Sequence, residues 1–236
     1  MDIKRKYLSS VFSYLYKHKK IADNPMSIVE PVKYKKCIKV FLKDEEIELL
    51  KINTTNSRDL AIIHFFLDTS VRVSELCGIN LEDVYFKNYT CKVLGKGNKE
   101  RTVTFSGKTA MRLNEYLKQR KDINMNGTYC TYASNTPLFA SRKGYPARLC
   151  KTAIESMVRK LGIISGVTRV HPHLFRATFA TKLAERDTDI GVIAKLLGHA
   201  DLESVNRYVF IDQTKIEATI RQKDSVRKGY IAKVTK

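Results

Sequence analysis

No apolar run in this sequence approaches the roughly 18 residues that a membrane-crossing helix needs, and no cleavable signal precedes the first helical pattern. These absences lead to the expectation of a cytoplasmic protein with no membrane partner. Cysteine is sparse as well. Cys37, Cys77, Cys91, Cys130 and Cys150 are odd in number and no pair has C-x-x-C spacing, so neither a disulfide framework nor a zinc site is signalled. They read as reduced thiols. There is no internal repeat and no cluster of acidic metal ligands.

Acid is also in short supply: 24 Asp and Glu face 43 Lys and Arg, giving a formal charge of +19. At 43% hydrophobic content the chain is a globular protein rather than a disordered basic tail. A folded body with this excess serves a polyanion, with nucleic acid the leading candidate, and its basic residues are spread along the chain as a phosphate-tracking surface requires. Its 236 residues suffice for one sizeable core, or for one main domain with a small appendage.

Along the chain, "KRKYLSSVFSYLYKHKKIADNP" places Leu8, Val11, Phe12 and Leu15 at helical spacing before a stop at Asn24-Pro25. "MSIVEPVKYKKCIKV" has no period and reads as a basic linker. Helices follow, with Asp44 as a cap and Leu60, Ile63 and Leu67 as an apolar stripe after Ser57. "VYFKNYTCKVLGKGNKERTVTF", broken at Lys87-Asn88 and at Gly95 to Lys99, predicts three short antiparallel strands. Further helices are expected around 107–120, 147–161, 173–185, 189–197 and 202–210, with Gly162 and Gly198 at helix ends and a loop over 126–137. The expected fold is mainly α with a small three-stranded antiparallel β-sheet.

One stretch carries unusual chemistry. In "HPHLFRATFAT", from His171 to Thr181, helical spacing makes His173 and Arg176 neighbours on an open basic face, while Phe175, Phe179 and Leu183 form a core stripe. Ala177, Ala180 and Ala184 lie near His173 and leave room for a close approach. Such a face suits an anion.

Three further stretches extend the pattern. "DIGVIAKLLGHADLESVNRYVFI" brings His199 at 23 residues beyond Arg176 and Tyr208 nine beyond His199; "TSVRVSELCGI" and "LGKGNKERTV" lie upstream. Taken together and in this order across residues 41 to 213, these boxes resemble the tyrosine recombinase (phage integrase) family. The resemblance implies that Arg72 and Arg176 clamp a phosphate, Lys96 acts as general acid, His173 and His199 support, and Tyr208 is the nucleophile. Lys99 competes with Lys96 on the same hairpin. His171 competes with His173 but precedes Pro172 and so falls outside the helix, and Glu75 is placed to pair with Arg72. His64 sits in an apolar helix as a core or edge histidine.

The chemistry is coherent with those roles. A phosphodiester attacked by a phenol gains charge on its non-bridging oxygens, and planar guanidiniums can each donate paired hydrogen bonds to them. The phenol, with an ordinary pKa of about 10, must lose its proton during attack, and the departing 5′-oxygen needs one in return. The resemblance implies no cofactor and no metal.

It further implies a site-specific DNA recombinase that cuts and rejoins DNA through a covalent 3′-phosphotyrosyl intermediate. A noncatalytic DNA-binding protein of the same fold and a type IB topoisomerase-like enzyme are the alternatives. Its implied partners are double-stranded DNA and three further copies of itself, a homo-tetramer on paired sites built from protomers that are monomeric when free. Residues 1–25 read as a remnant helix of a core-binding domain, 26–40 as the linker, 41–213 as the catalytic domain, and 214–236 as a tail exchanged between protomers. Ser70 stands where the family usually has glycine, Phe175 replaces a usual leucine and Ala177 a frequent histidine.

Overall fold

The computed structural model describes residues 2–30, 41–95, 97–120, 122, 124–126, 129–131, 134–141 and 147–198. The chain divides into two compact units, Met1–Ile38 and Lys39–Lys236. In the first, helix α1 spans Asp2–Lys17 and leaves Tyr7, Leu8, Val11 and Tyr14 exposed. The chain then turns through a 3₁₀ segment, Pro25–Ile28, started by the Asn24 side chain, which accepts from the Met26 N–H at 3.0 Å. Arg5 donates to the Val29 carbonyl at 2.9 Å and closes the unit.

The second unit begins with α2, Asp44–Ile52. Its N-cap is Lys43, not Asp44 as the sequence led us to expect; Asp44 is the first helical residue, and the Lys43 N–H donates to the Glu46 carboxylate at 2.9 Å. Helix α3, Ser57–Thr69, is capped by Asn56, whose side chain accepts from the Asp59 N–H at 2.9 Å. The expected single stripe is corrected here. Ala61, Ile62, Ile63, Phe65 and Phe66 are all wholly buried, while Leu60 and Leu67 are only partly so. The reason is that α5 (Gly107–Leu117) and α7 (Pro172–Glu185) both pack on α3 and cover more than one of its faces. Phe66 stacks on Phe175 with centroids 5.6 Å apart, and Phe65 meets Phe105 and Phe139 at 5.9 and 6.2 Å. Each ring removed from such a core costs about 3–5 kcal/mol, so α3 fixes whatever α7 carries.

Between α4 (Val73–Gly78) and α5 lies the expected sheet, β1 (Val84–Tyr85), β2 (Thr90–Leu94) and β3 (Glu100–Thr104), antiparallel in that order. Cys91, Val93 and Val103 face the core, and Val93 is the register partner of Arg101. A further hairpin, β4 (Asn124–Asn126) with β5 (Tyr129–Thr131), occupies part of the stretch read as a loop. Its polar asparagines hid a short ladder that Tyr129 and Thr131, good strand formers, support.

Helix α6 runs over Lys151–Ile164, so Gly162 is inside it rather than at its end. A Cβ there would meet the Val170 side chain and lie 2.7 Å from the Val167 carbonyl oxygen, so this glycine serves a close approach. Helix α8, Ile190–Leu197, starts at Asp189, whose carboxylate accepts from the Gly191 and Val192 N–H groups at 2.8 and 3.2 Å. It ends at Gly198 in the left-handed conformation, φ 62°. Helix α7 joins two apolar clusters: Phe175 belongs to the main core, whereas Phe179 and Leu183 pack with Ile193 and Leu197 of α8. The helix expected at 202–210 lies outside the described residues. Among the described residues no helix is long and apolar enough to cross a membrane.

Candidate active site

Helix α3 ends at Ser70, held at φ 51° and ψ 23° in the left-handed region, and this sharp exit puts Arg72 at the N-cap of α4. The Arg72 backbone N–H donates to Glu75 Oε2 at 2.7 Å and its Nη1 to Glu75 Oε1 at 2.8 Å. Glu75 therefore does pair with Arg72, as its spacing implied. It is 4% exposed and holds a second cation: Arg101 donates from Nη1 to Oε1 at 2.7 Å and from Nη2 to Oε2 at 2.8 Å. Burial alone would raise the Glu75 carboxyl, but the hydrogen bonds from Arg101 and Arg72 outweigh it and hold the group at about 2. It is a carboxylate throughout the neutral range.

Arg176 occupies the middle of α7's first half. It was expected on an open basic face and is instead buried, at 3% exposure. The cation is accommodated because its Nη1 donates to the Ser70 carbonyl at 2.8 Å and its Nη2 to the Leu197 carbonyl. These carbonyls stand at the C-terminal ends of α3 and α8, where the helix dipoles are negative. One guanidinium thus ties together the ends of two helices, and the Ser70 carbonyl it holds lies two residues along the chain from Arg72.

His173 is the second residue of α7 and lies exposed. Partial loss of water lowers the pKa of its imidazole, and the charges of His171, Arg176, Lys151 and Arg72 lower it further. The neutral ring is the favoured form near pH 7, able to accept a proton. That two of these charges belong to Arg176 and Arg72 brings the three predicted residues into one electrostatic neighbourhood. His171 is the N-cap of α7, outside the helix as expected, with Nδ1 2.9 Å from the Arg169 carbonyl oxygen. His64 is buried in α3, its pKa pushed down to about 4 by burial and then by Lys51 and Arg112.

Lys96, His199 and Tyr208 lie outside the described residues. The residues next to two of them are described. A Cβ at Gly95 would stand 3.5 Å from Glu75 Oε1 and 3.6 Å from Arg101 Nη1, and one at Gly198 would stand 3.1 Å from Arg101 Cδ and Nε. The chain therefore enters both Lys96 and His199 from positions against Arg101. That arginine was missed by the sequence reading. Its signal was the period-two alternation of β3, which puts it on the same face as the buried Val103.

The residue types on this face, guanidiniums with a neutral imidazole, are donors and a proton acceptor suited to a phosphodiester. A groove of about 730 Å³ lies elsewhere, lined by Ile52, Met157 and Ile164 among others, and contains none of the candidate residues.

Comparisons with known proteins place the chain and its fold among recombinases. The chain is 37% identical over 211 residues to the tyrosine recombinase XerC of Thermodesulfovibrio yellowstonii, covering 87% of this chain and 69% of that one. A crystal structure of XerA recombinase is 28% identical, superposes with a TM-score of 0.67, and is matched over 92% of this chain and 74% of its own. The Tn1549 transposon integrase in complex with transposon right end DNA shares the fold, with a TM-score of 0.70 at 19% identity, over 92% of this chain and 77% of that one. The sequence profile of the phage integrase family matches residues 29–215. The chain belongs to the phage integrase family, that of the tyrosine recombinases.

Proposed function

We propose that this protein is a site-specific DNA recombinase in which Tyr208 attacks a phosphodiester held by Arg72 and Arg176. The observation that carries this reading is the anchoring of both arginines around Ser70. Arg176 is fixed by the carbonyls of Ser70 and Leu197, and Arg72 by Glu75, so two guanidiniums are set in place before any phosphate arrives. Donors that need no reorganisation stabilise the extra charge of a pentacovalent phosphorus far better than donors recruited from solvent. In the proposed step the Tyr208 Oη–P bond forms and the P–O5′ bond breaks. His173 takes the phenolic proton and Lys96 delivers one to the departing 5′-oxygen, with His199 supporting the phosphate. The resulting ester keeps the energy of the broken bond, so a second 5′-hydroxyl can reverse the reaction on a new strand.

The partner on this reading is double-stranded DNA, which the +19 charge favours. We further take residues 41–213 as the catalytic domain, preceded by the helix of 1–25 and the basic linker of 26–40. The tail, 214–236, with Ile216 and Ile220 four apart, would dock on a neighbouring copy. Cytoplasmic protomers, monomeric when free, would then close into a tetramer on two sites.

The test is a nicked suicide duplex carrying the ends of the DNA that encodes the protein, scored for an SDS-stable adduct. The adduct should form and vanish in Tyr208→Phe. DNA binding without any adduct would identify the noncatalytic alternative, and relaxation of supercoils without strand exchange the topoisomerase-like one.

A further inference from the structure

We infer that Arg101, on β3, is a positioning residue for strand cleavage: by filling the fork of Glu75 it keeps Arg72 available to the phosphate, and by lying against Gly198 it supports the corner that leads into His199. The inference rests on the proposed function and adds a residue to it.

Arg101 stands where a strand of this pattern places an apolar side chain. Its register partner is Val93, and Val103 two residues on is buried. A cation on that face is stable only with a partner, and Glu75 supplies both oxygens in a parallel two-point contact at 2.7 and 2.8 Å. A planar guanidinium makes this contact and an ammonium cannot.

The consequence falls on Arg72. Glu75 carries one negative charge and is shared by two guanidiniums, so the trio is left with one net positive charge. Because Arg101 occupies the fork, the Arg72 guanidinium keeps only its Nη1 contact to the carboxylate, beside the bond from the Arg72 backbone N–H. Among the described residues no partner takes Arg72 Nε or Nη2, and its side chain is 28% exposed. Without Arg101 the buried carboxylate would draw Arg72 into the two-point pairing, leaving a neutral pair turned away from the substrate.

The second contact is steric. Gly198 has φ 62°, and a Cβ there would come within 3.1 Å of Arg101 Cδ and Nε. The corner before His199 thus packs directly on the arginine that sets Arg72, with Gly95, the residue before Lys96, near Nη1 of the same guanidinium.

The experiment measures the adduct rate on the nicked duplex at saturating protein, the Kd for intact duplex, and the unfolding temperature. The proteins are the unaltered chain, Arg101→Gln, Arg101→Lys, and Arg101→Gln combined with Glu75→Gln. A misplacement of about 1 Å at a reacting centre can cost about 100-fold, and that is the loss expected for Arg101→Gln, with Kd changed less than about threefold. Arg101→Lys should fall between, since it keeps the charge and loses the fork. The double variant restores one net positive charge with no orphaned buried carboxylate, so it should fold and regain about tenfold over Arg101→Gln. An Arg101→Gln protein that cleaves within about twofold of the unaltered chain overturns the inference, as does a double variant that folds and is no faster than Arg101→Gln. A Kd loss that accounts for the whole rate loss makes Arg101 a DNA-binding residue instead and also overturns it. If the unaltered chain forms no adduct, the strand-transfer reading fails and takes this inference with it.

Discussion

Arg176 donates to the Ser70 carbonyl at 2.8 Å across 106 positions of sequence, and that single bond joins the exit of α3 to the face of α7. Because the same guanidinium also reaches the Leu197 carbonyl, it closes the ends of α3 and α8 at once. An ammonium at this position can reach one carbonyl but not hold both in a plane. Arg176→Lys should therefore lower the adduct rate by about 10²–10³, the loss seen when one preorganised donor is removed, while Kd for duplex DNA weakens only modestly. Equal losses in rate and affinity would make Arg176 a binding residue.

Ser70 itself is the subject of a second prediction. A non-glycine residue in the left-handed region is held there at about 1–2 kcal/mol, and its Oγ is buried with no hydrogen-bond partner among the described residues. An unsatisfied hydroxyl adds about 1–3 kcal/mol. Glycine would relieve both and lose about 0.5–1 kcal/mol to unfolded-state entropy. Ser70→Gly should therefore raise stability by at least about 1 kcal/mol, a gain of at least roughly 2–4 °C in Tm for a domain of this size, with cleavage retained. A lower Tm would mean that the serine makes a contact of its own.

The parts of this fold legible in sequence are those governed by local pattern. The hairpin turns at Lys87-Asn88 and Gly95 to Lys99, the left-handed end of α8 at Gly198, and the adjacency of His173 to Arg176 all follow from spacing and turn chemistry. What escaped was decided by partners distant in sequence. A helical wheel puts Arg176 outside because it cannot see Ser70 and Leu197, whose carbonyls make burial tolerable. Nothing local singles out Arg101, because its partner Glu75 lies 26 positions away. Gly162 read as a helix end because its actual constraint, Val167 and Val170 packed against it, comes after the helix turns back. Lys96, His199 and Tyr208 were read from the family pattern and lie outside the described residues.

Glu75 gives a pH dependence whose sign is fixed. Its folded-state value of about 2 lies below the ordinary 4.5, so its contribution is present above about pH 4.5 and is lost as pH falls toward 2. A shift of that size corresponds to at most about 3 kcal/mol. Urea unfolding between pH 7 and pH 3 should show the unaltered chain losing stability more steeply than Glu75→Gln, which starts lower and stays flatter. Parallel slopes would mean that the carboxylate is not selectively stabilised in the fold.

His173 provides the last test, in the rate rather than the stability. Desolvation and then the charges of His171, Arg176, Lys151 and Arg72 hold its pKa below the ordinary 6.5, so the ring is already neutral at pH 7 and protonates only under more acid conditions. If it accepts the proton of Tyr208, cleavage under single-turnover conditions must fall as pH drops through that lowered value, with a midpoint below 6.5. The sign follows directly, since a base is lost on protonation. His173→Gln keeps a hydrogen-bonding side chain without a titrating ring; it should be slower by about 10²–10⁴ and should lose that acid limb. Binding of duplex DNA should not follow the same curve, because protonating His173 adds positive charge and favours the phosphate backbone. A rate profile with its midpoint above 6.5, or one that persists in His173→Gln, would assign the proton to another group.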